Sequence, residues 1–178
     1  WDIKALNAVQ WQTSHWAEPQ SMENSHRLNQ VLLGYFDRNI PTKRGGIARM
    51  FDWGDLAQHS AAAYAIITEA KKMQPGEKLN VVALGALTNV GSALFIDSSI
   101  ADKIRLYWLG TSYDFEWDIL KKQDFNCVMD VQALETVLMS EVEMHVIPIN
   151  VANAMTFTIH EVYRQLRDLH PLGSLLAD

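Results

Sequence analysis

The sequence predicts an α/β domain on a doubly wound parallel sheet with helices on both faces, and three observations carry that expectation. Four short apolar runs are nearly continuous rather than cleanly alternating, as strands covered on both faces are. Stretches with helical spacing of apolar residues separate them. Residues that cap or break helices fall at the joints.

The predicted strands are Ile3 to Val9, Leu79 to Leu84, Ile104 to Leu109 and Met144 to Ile149. Their content is partly β-branched or aromatic, which suits a pleated, buried surface. Leu28, Val31, Leu32, Tyr35 and Phe36 form one helical stripe, and Val131, Leu134, Val137 and Leu138 a second. Ile159, Val162, Tyr163, Leu166 and Leu169 form a third. Ser21 is placed to cap the first helix, Thr88 or Asn89 another, and Asp130 the one after it, because short polar side chains accept from free N–H groups there. Pro75-Gly76 breaks the alanine-rich segment from Ala57 to Met73. Pro41 and Gly45-Gly46 mark a loop after the first helix. Strands alternating with helices give parallel pairing through crossovers. With no repeat, low-complexity tract or linker, a single domain over residues 1–178 is expected.

Composition bounds the function classes. The 178 residues are 48% hydrophobic and 20% charged, with a formal net charge of −6, a globular balance rather than a disordered one. No long basic run supports a nucleic-acid partner. No apolar run reaches membrane-spanning length. The single cysteine, Cys127, cannot form an intrachain disulfide, which leaves the compartment open.

A parallel sheet gathers binding groups beyond the carboxyl ends of its strands. The segments to inspect are therefore Gln10 to Pro19, Gly85 to Asn89, Gly110 to Asn126 and Asn150 to Met155. In Val82-Ala83-Leu84-Gly85-Ala86-Leu87-Thr88-Asn89 a strand turns through glycine into a helix. That turn frees backbone groups for a ligand or cation; a plain strand-to-helix turn explains the same residues. The second constellation is Leu109-Gly110-Thr111, a long polar and aromatic loop, then Asp124-Phe125-Asn126 and Asp130. Asp124 and Asn126 suit a polyol, with Phe125 as an apolar wall. The competing reading has Asp124 solvated, Phe125 in the core and Asn126 completing its own turn.

Taken together, VVALGALTN, YWLGT, DFN and DVQAL, in that order, resemble the inosine–uridine-preferring nucleoside hydrolase family. Its patterns there read V-A-L-G-P-L-T-N, M-G-G, E-F-N and D-P-E-A-A. The resemblance runs from about Leu79 to Ile149. It implies calcium-dependent hydrolysis of the bond between ribose and a nucleobase, through an oxocarbenium-like state. It further implies a small nucleoside or related ribosyl substrate and a homo-oligomeric full-length protein. By position, the backbone carbonyl of Leu84 resembles the family's main-chain calcium ligand. Asn126 matches the residue that binds the ribose secondary hydroxyls, Asp124 the one that reaches the 5′-hydroxyl, and Phe125 a pocket wall. Leu109 stands where a methionine often lies below the sugar.

Some positions depart from the family pattern. Asp124 replaces the usual Glu, Thr111 the usual second Gly, and the loop between them carries Asp114, Glu116, Trp117 and Asp118 instead of an asparagine. The family's D-x-D-x-x-x-D-D strand and its late His and Asp have no counterpart here. The resemblance therefore implies the middle of the domain, incomplete at both ends, with no catalytic acid or base on this chain and most calcium ligands lying elsewhere. Six histidines, His15, His26, His59, His145, His160 and His170, show no metal spacing and read as structural or exposed. Trp11, Trp16 and Trp117 fall in loops after strands; with Trp53 they suit either stacking on a base or sugar, or closing the top of the sheet. Three functions stand at this point: an N-ribosyl hydrolase, a non-catalytic sugar- or nucleoside-binding relative, and an unrelated α/β interaction module.

Overall fold

The computed structural model describes residues 2–12, 19–36, 39–50, 56–167 and 169–177. In chain order its elements begin with β1 (Leu6–Asn7), α1 (Ser21–Gly34), β2 (Thr42–Lys43), α2 (Ala61–Lys71), β3 (Leu79–Ala83) and α3 (Thr88–Ile96). A 3₁₀ turn over Ser98–Lys103 leads into β4 (Ile104–Leu109), followed by β5 (Ser112–Asp114), β6 (Ile119–Lys121), α4 (Phe125–Val128), α5 (Val131–Leu138) and β7 (Glu143–Ile147). The chain then runs through α6 (Ile149–Asn153), α7 (Ile159–Val162), a π-helical turn over Tyr163–Arg167 and α8 (Pro171–Ala177).

The main sheet has the order β3-β4-β7, all parallel, with Val81 opposite Leu106 and Leu106 opposite Met144. Strand β4 is its centre and alternates strictly in burial. Ile104, Leu106 and Trp108 are fully buried, whereas Arg105, Tyr107 and Leu109 are half-buried. The buried face packs on Ile66 and Ile67 of α2, Val90 and Leu94 of α3, and Leu134 and Val137 of α5. Removal of these side chains from water drives the fold. The opposite face carries Val82, Tyr107 and His145, with Tyr107 stacked on His145 at 4.8 Å; Val82 and His145 are exposed, so the helical cover expected on this face is not found among the described residues.

Three expectations need correction. The run Ile3 to Val9 forms only the short β1, which lies in a separate two-stranded parallel ladder with β2 rather than beside β3. Its main chain is committed elsewhere: Leu6 N donates to the Pro41 carbonyl, Ala8 N to the Lys43 carbonyl, and the Ala8 carbonyl accepts from Asn89 Nδ2. The stripe on α1 does not face the core. Ser21, Met22 and His26 are buried there, while Leu28, Val31 and Phe36 are half-exposed; periodicity shows which side is apolar, not what covers it. Finally, the long loop after β4 is largely the hairpin β5–β6, with Tyr113 opposite Leu120 and Asp118 turning at φ 53°.

Capping divides along similar lines. Asp130 caps α5 as expected, accepting from Ala133 N at 2.9 Å. Leu87 holds the N-cap position of α3, and Gln20 that of α1, neither with a side-chain cap. Ser21, Thr88 and Asn89 direct their side chains to other segments instead.

Candidate active site

Strands β3 and β4 end side by side, and the side chain of Asn126 bridges the carbonyls at their ends. Asn126 Nδ2 donates to the Leu84 carbonyl at 3.1 Å and to the Leu109 carbonyl at 2.9 Å. Two acceptors facing one end of the amide fix its orientation, because only the NH₂ group supplies two protons. The amide oxygen is thereby turned away from both carbonyls and accepts from no described residue. It is an acceptor beside two strand-end carbonyls.

Asn126 is held there by the residue before its helix. Asp124 lies in the extended region and caps α4, its Oδ1 accepting from Asn126 N at 2.9 Å. Asp124 as a residue is 9% exposed rather than freely solvated, and its second oxygen is not used in the cap. Phe125 is 54% exposed rather than in the core. Leu109 is half-buried at the end of β4. The structure thus brings Leu84, Leu109 and Asn126 into direct contact, with Asp124 and Phe125 adjoining them along the chain.

Two further residues shape the end of β4. A Cβ on Gly110 would lie 2.2 Å from Trp108 Cζ2, so the ring and the chain fit only with glycine there. The same indole donates from Nε1 to the Gly85 carbonyl at 2.9 Å, tying the β3 turn to β4. Thr111 adopts φ 65°, a left-handed conformation costly for a β-branched residue. Its hydroxyl is buried without a protein partner. The glycine usual at this position in the family fits that backbone without strain.

Behind the strand ends lies a buried polar network. Thr88 Oγ1 donates to Asp130 Oδ2 at 2.7 Å and accepts from Gln10 Nε2 at 3.0 Å. Gln10 Nε2 also donates to the Met129 carbonyl, and Met50 N donates to Asp130 Oδ2. Burial pushes the Asp130 carboxyl above the usual range, against the pull of the Thr88 hydroxyl and the Ala133 and Met50 amides. Asn89 spans Ala8 and Gly46, donating to the carbonyl of one and accepting from the amide of the other. Thr88 and Asn89 are therefore tethers rather than caps. Sequence reasoning missed Gln10 as a member; its place directly after the first apolar run was the available signal.

The remaining candidates are peripheral. Asn150 binds both the amide and the carbonyl of Tyr113, anchoring the hairpin to α6. Trp117 is 68% exposed on the loop between β5 and β6, and Trp11 is partly exposed after β1. His15, Trp16 and Trp53 lie outside the described residues. His26 is buried, His59 pairs with the Tyr64 hydroxyl and His145 with Glu143; His160 and His170 are exposed. A separate cleft of about 400 Å³ is lined in part by Arg44, His59 and Ser60. Its polar groups are already partnered: Arg44 by Glu23, His59 by Tyr64, and Ser60 as the cap of α2.

The chain is thus an α/β protein whose neighbouring parallel strands end on two carbonyls bridged by one side-chain amide. The sequence profile of the inosine-uridine preferring nucleoside hydrolases matches residues 16–178, and the chain belongs to that family. It is 30% identical over 102 residues to a probable uridine nucleosidase 2 of Oryza sativa subsp. japonica, covering 57% of this chain and 29% of that protein. The fold is similar to a purine-preferring ribonucleoside hydrolase from Gardnerella vaginalis, with TM-score 0.71 and 21% identity over 88% of this chain and 57% of the other. An inosine-guanosine nucleoside hydrolase matches with TM-score 0.70 and 19% identity, over 98% of this chain and 62% of that one. The inosine-uridine preferring enzyme of Bacillus anthracis matches with TM-score 0.61 and 19% identity, over 93% and 61%. The chain thus spans less than two thirds of each relative's length. Membership in the family removes the reading as an unrelated interaction module.

Proposed function

We propose that this chain is the sugar-holding part of an N-ribosyl hydrolase that splits ribonucleosides into ribose and free base. The observation that supports the reading is the Asn126 amide, braced on the Leu84 and Leu109 carbonyls with its oxygen left over. In that role the oxygen accepts from a ribose secondary hydroxyl, and Asp124 accepts from the 5′-hydroxyl. Phe125 walls the pocket, and Leu109 lies beneath the ring. In the reaction the C1′–N bond breaks with its electron pair leaving on the base. Water oxygen bonds to C1′, one water proton is lost, and the departing base is protonated. The family's proton-transferring groups have no matched position here, so this chain's part is to bind and orient the sugar. A homo-oligomer remains the assembly proposed for the full-length protein.

Calcium is a separate matter. The ion takes six to eight oxygen ligands, and where bound it polarises water. Among the described residues no group of three acidic, histidine or cysteine side chains gathers to hold a metal. The Leu84 carbonyl already accepts from Asn126. The described residues do not make a calcium site by themselves.

Calcium calorimetry and a ribose-release assay on inosine and uridine test this division of labour. These 178 residues are expected to show no tight calcium binding and no turnover. A chain of the relatives' full length that contains them is expected to show both. Robust turnover by the 178 residues alone would overturn the assignment of the proton-transferring groups. A full-length chain inert on every nucleoside would replace hydrolysis with sugar binding.

A further inference from the structure

We infer that Thr88 and Asp130 are positioning residues: their hydrogen bond holds the Leu84 carbonyl and the Asn126 amide in register across the two strand ends. The inference deepens the proposal above and rests on its assignment of that pair as the sugar site.

Thr88 stands four residues after Leu84, at the start of α3, and Asp130 stands four residues after Asn126, at the start of α5. Each site group is thus carried into one of two helices, and the 2.7 Å bond between Thr88 Oγ1 and Asp130 Oδ2 ties those helix starts together. Both partners are almost wholly buried. Gln10 completes the hydroxyl by donating to it, so Thr88 uses its donor and an acceptor at once, and the segment that follows β1 joins the same point.

A cap alone does not require this arrangement. Asp97 caps its 3₁₀ turn, accepting from Ser99 N near the surface, with Lys71 paired to the same carboxylate. Asp130 carries out its own cap through Oδ1. Its Oδ2 is a second attachment, shared by Thr88 Oγ1 and Met50 N. A buried carboxylate carries a desolvation cost that a capping role at the surface avoids. Fully satisfied buried networks fix one geometry among several, and here the geometry fixed is the distance between Leu84 and Asn126.

The test reads Asn126 directly in the 178-residue chain by NMR, with its side-chain amide pair assigned through Asn126→Asp. Thr88→Val keeps the shape of the side chain and removes the hydroxyl; Thr88→Ser keeps the hydroxyl. In Thr88→Val the Asn126 side-chain amide is expected to exchange with water about tenfold faster, the factor expected from losing one hydrogen bond to a charged group. Thr88→Ser should restore the wild-type rate. Backbone amides of Ile66 and Ile67, buried in α2, should keep their rates in both variants. An unchanged Asn126 in Thr88→Val overturns the inference. So does a uniform rise across Asn126, Ile66 and Ile67, because that is general loosening. Should Thr88→Val not fold, Thr88→Ala takes its place; if neither folds, the bond is a stability element and the inference fails. None of these readouts needs a substrate. A wild-type chain that shows the clamp yet ignores ribose would sink the functional proposal alone.

Discussion

Single residues at the end of β4 carry the sharpest consequences. Thr111 combines a left-handed backbone with a buried hydroxyl that has no protein partner. The first costs a β-branched residue about 1–2 kcal/mol, and glycine would return about 0.5–1 kcal/mol of that in chain entropy. Removing the orphaned hydroxyl adds to the gain. Thr111→Gly should therefore stabilise the fold by about 1 kcal/mol, read as a higher urea midpoint at constant slope; a lower midpoint would show that the hydroxyl has a role the backbone strain is retained for. Gly110 predicts the opposite sign. A methyl placed 2.2 Å from the buried Trp108 ring has nowhere to go in a close-packed core. Gly110→Ala should cost about 2 kcal/mol or more, measured by the same melt. The departure at Thr111 was visible in the sequence. Its reason, a positive φ, was not, because no residue type announces its own backbone angle.

Elements were legible where they are long and the pattern repeats. Strands β3 and β4 lie where the apolar runs placed them, ending at Ala83 and Leu109, since an apolar run of five or six residues is long enough to register; the one-sided burial along β4 was not read, because a nearly continuous run does not show which face is covered. The hairpin went unread because β5 and β6 have three residues each, too few for alternation to register. The run from Met144 to Ile149 ends early as a strand because Pro148 takes the N-cap position of α6. Strand β7 also carries a testable charge cluster. Arg105, His145 and Lys78 all bind Glu143 and hold its carboxyl down to about 2, Arg105 contributing most. A carboxylate depressed in the folded state contributes its stability above its ordinary value of 4.5, and loses it as pH falls toward about 2. Glu143→Gln should flatten the acid limb of the stability profile across that window and leave the slope in the neutral region unchanged. A limb of unchanged slope would show that other carboxylates set it.

At the scale of the molecule, the parallel sheet explains why residues 42 positions apart in the chain meet at Asn126 and Leu84. The sequence motifs named both, but the amide bridge between two strand ends depends on β3 and β4 being neighbours, which only the assembled sheet determines. Placement of β1 was the harder problem, since its partners are β2 and the side chain of Asn89, neither visible from its own apolar run. The account as a whole stands on Asn126 and its surroundings taking a ribose ring. Titrating isotopically labelled protein with D-ribose, and following the Asn126 side-chain amide by NMR, tests that most directly. The account predicts saturable shifts at Asn126 and at neighbouring Phe125 and Gly85, with those of Phe125 and Gly85 lost in Asn126→Ala and all weakened when 2-deoxyribose replaces ribose. Shifts absent at Asn126, or equal for ribose and 2-deoxyribose, would contradict it.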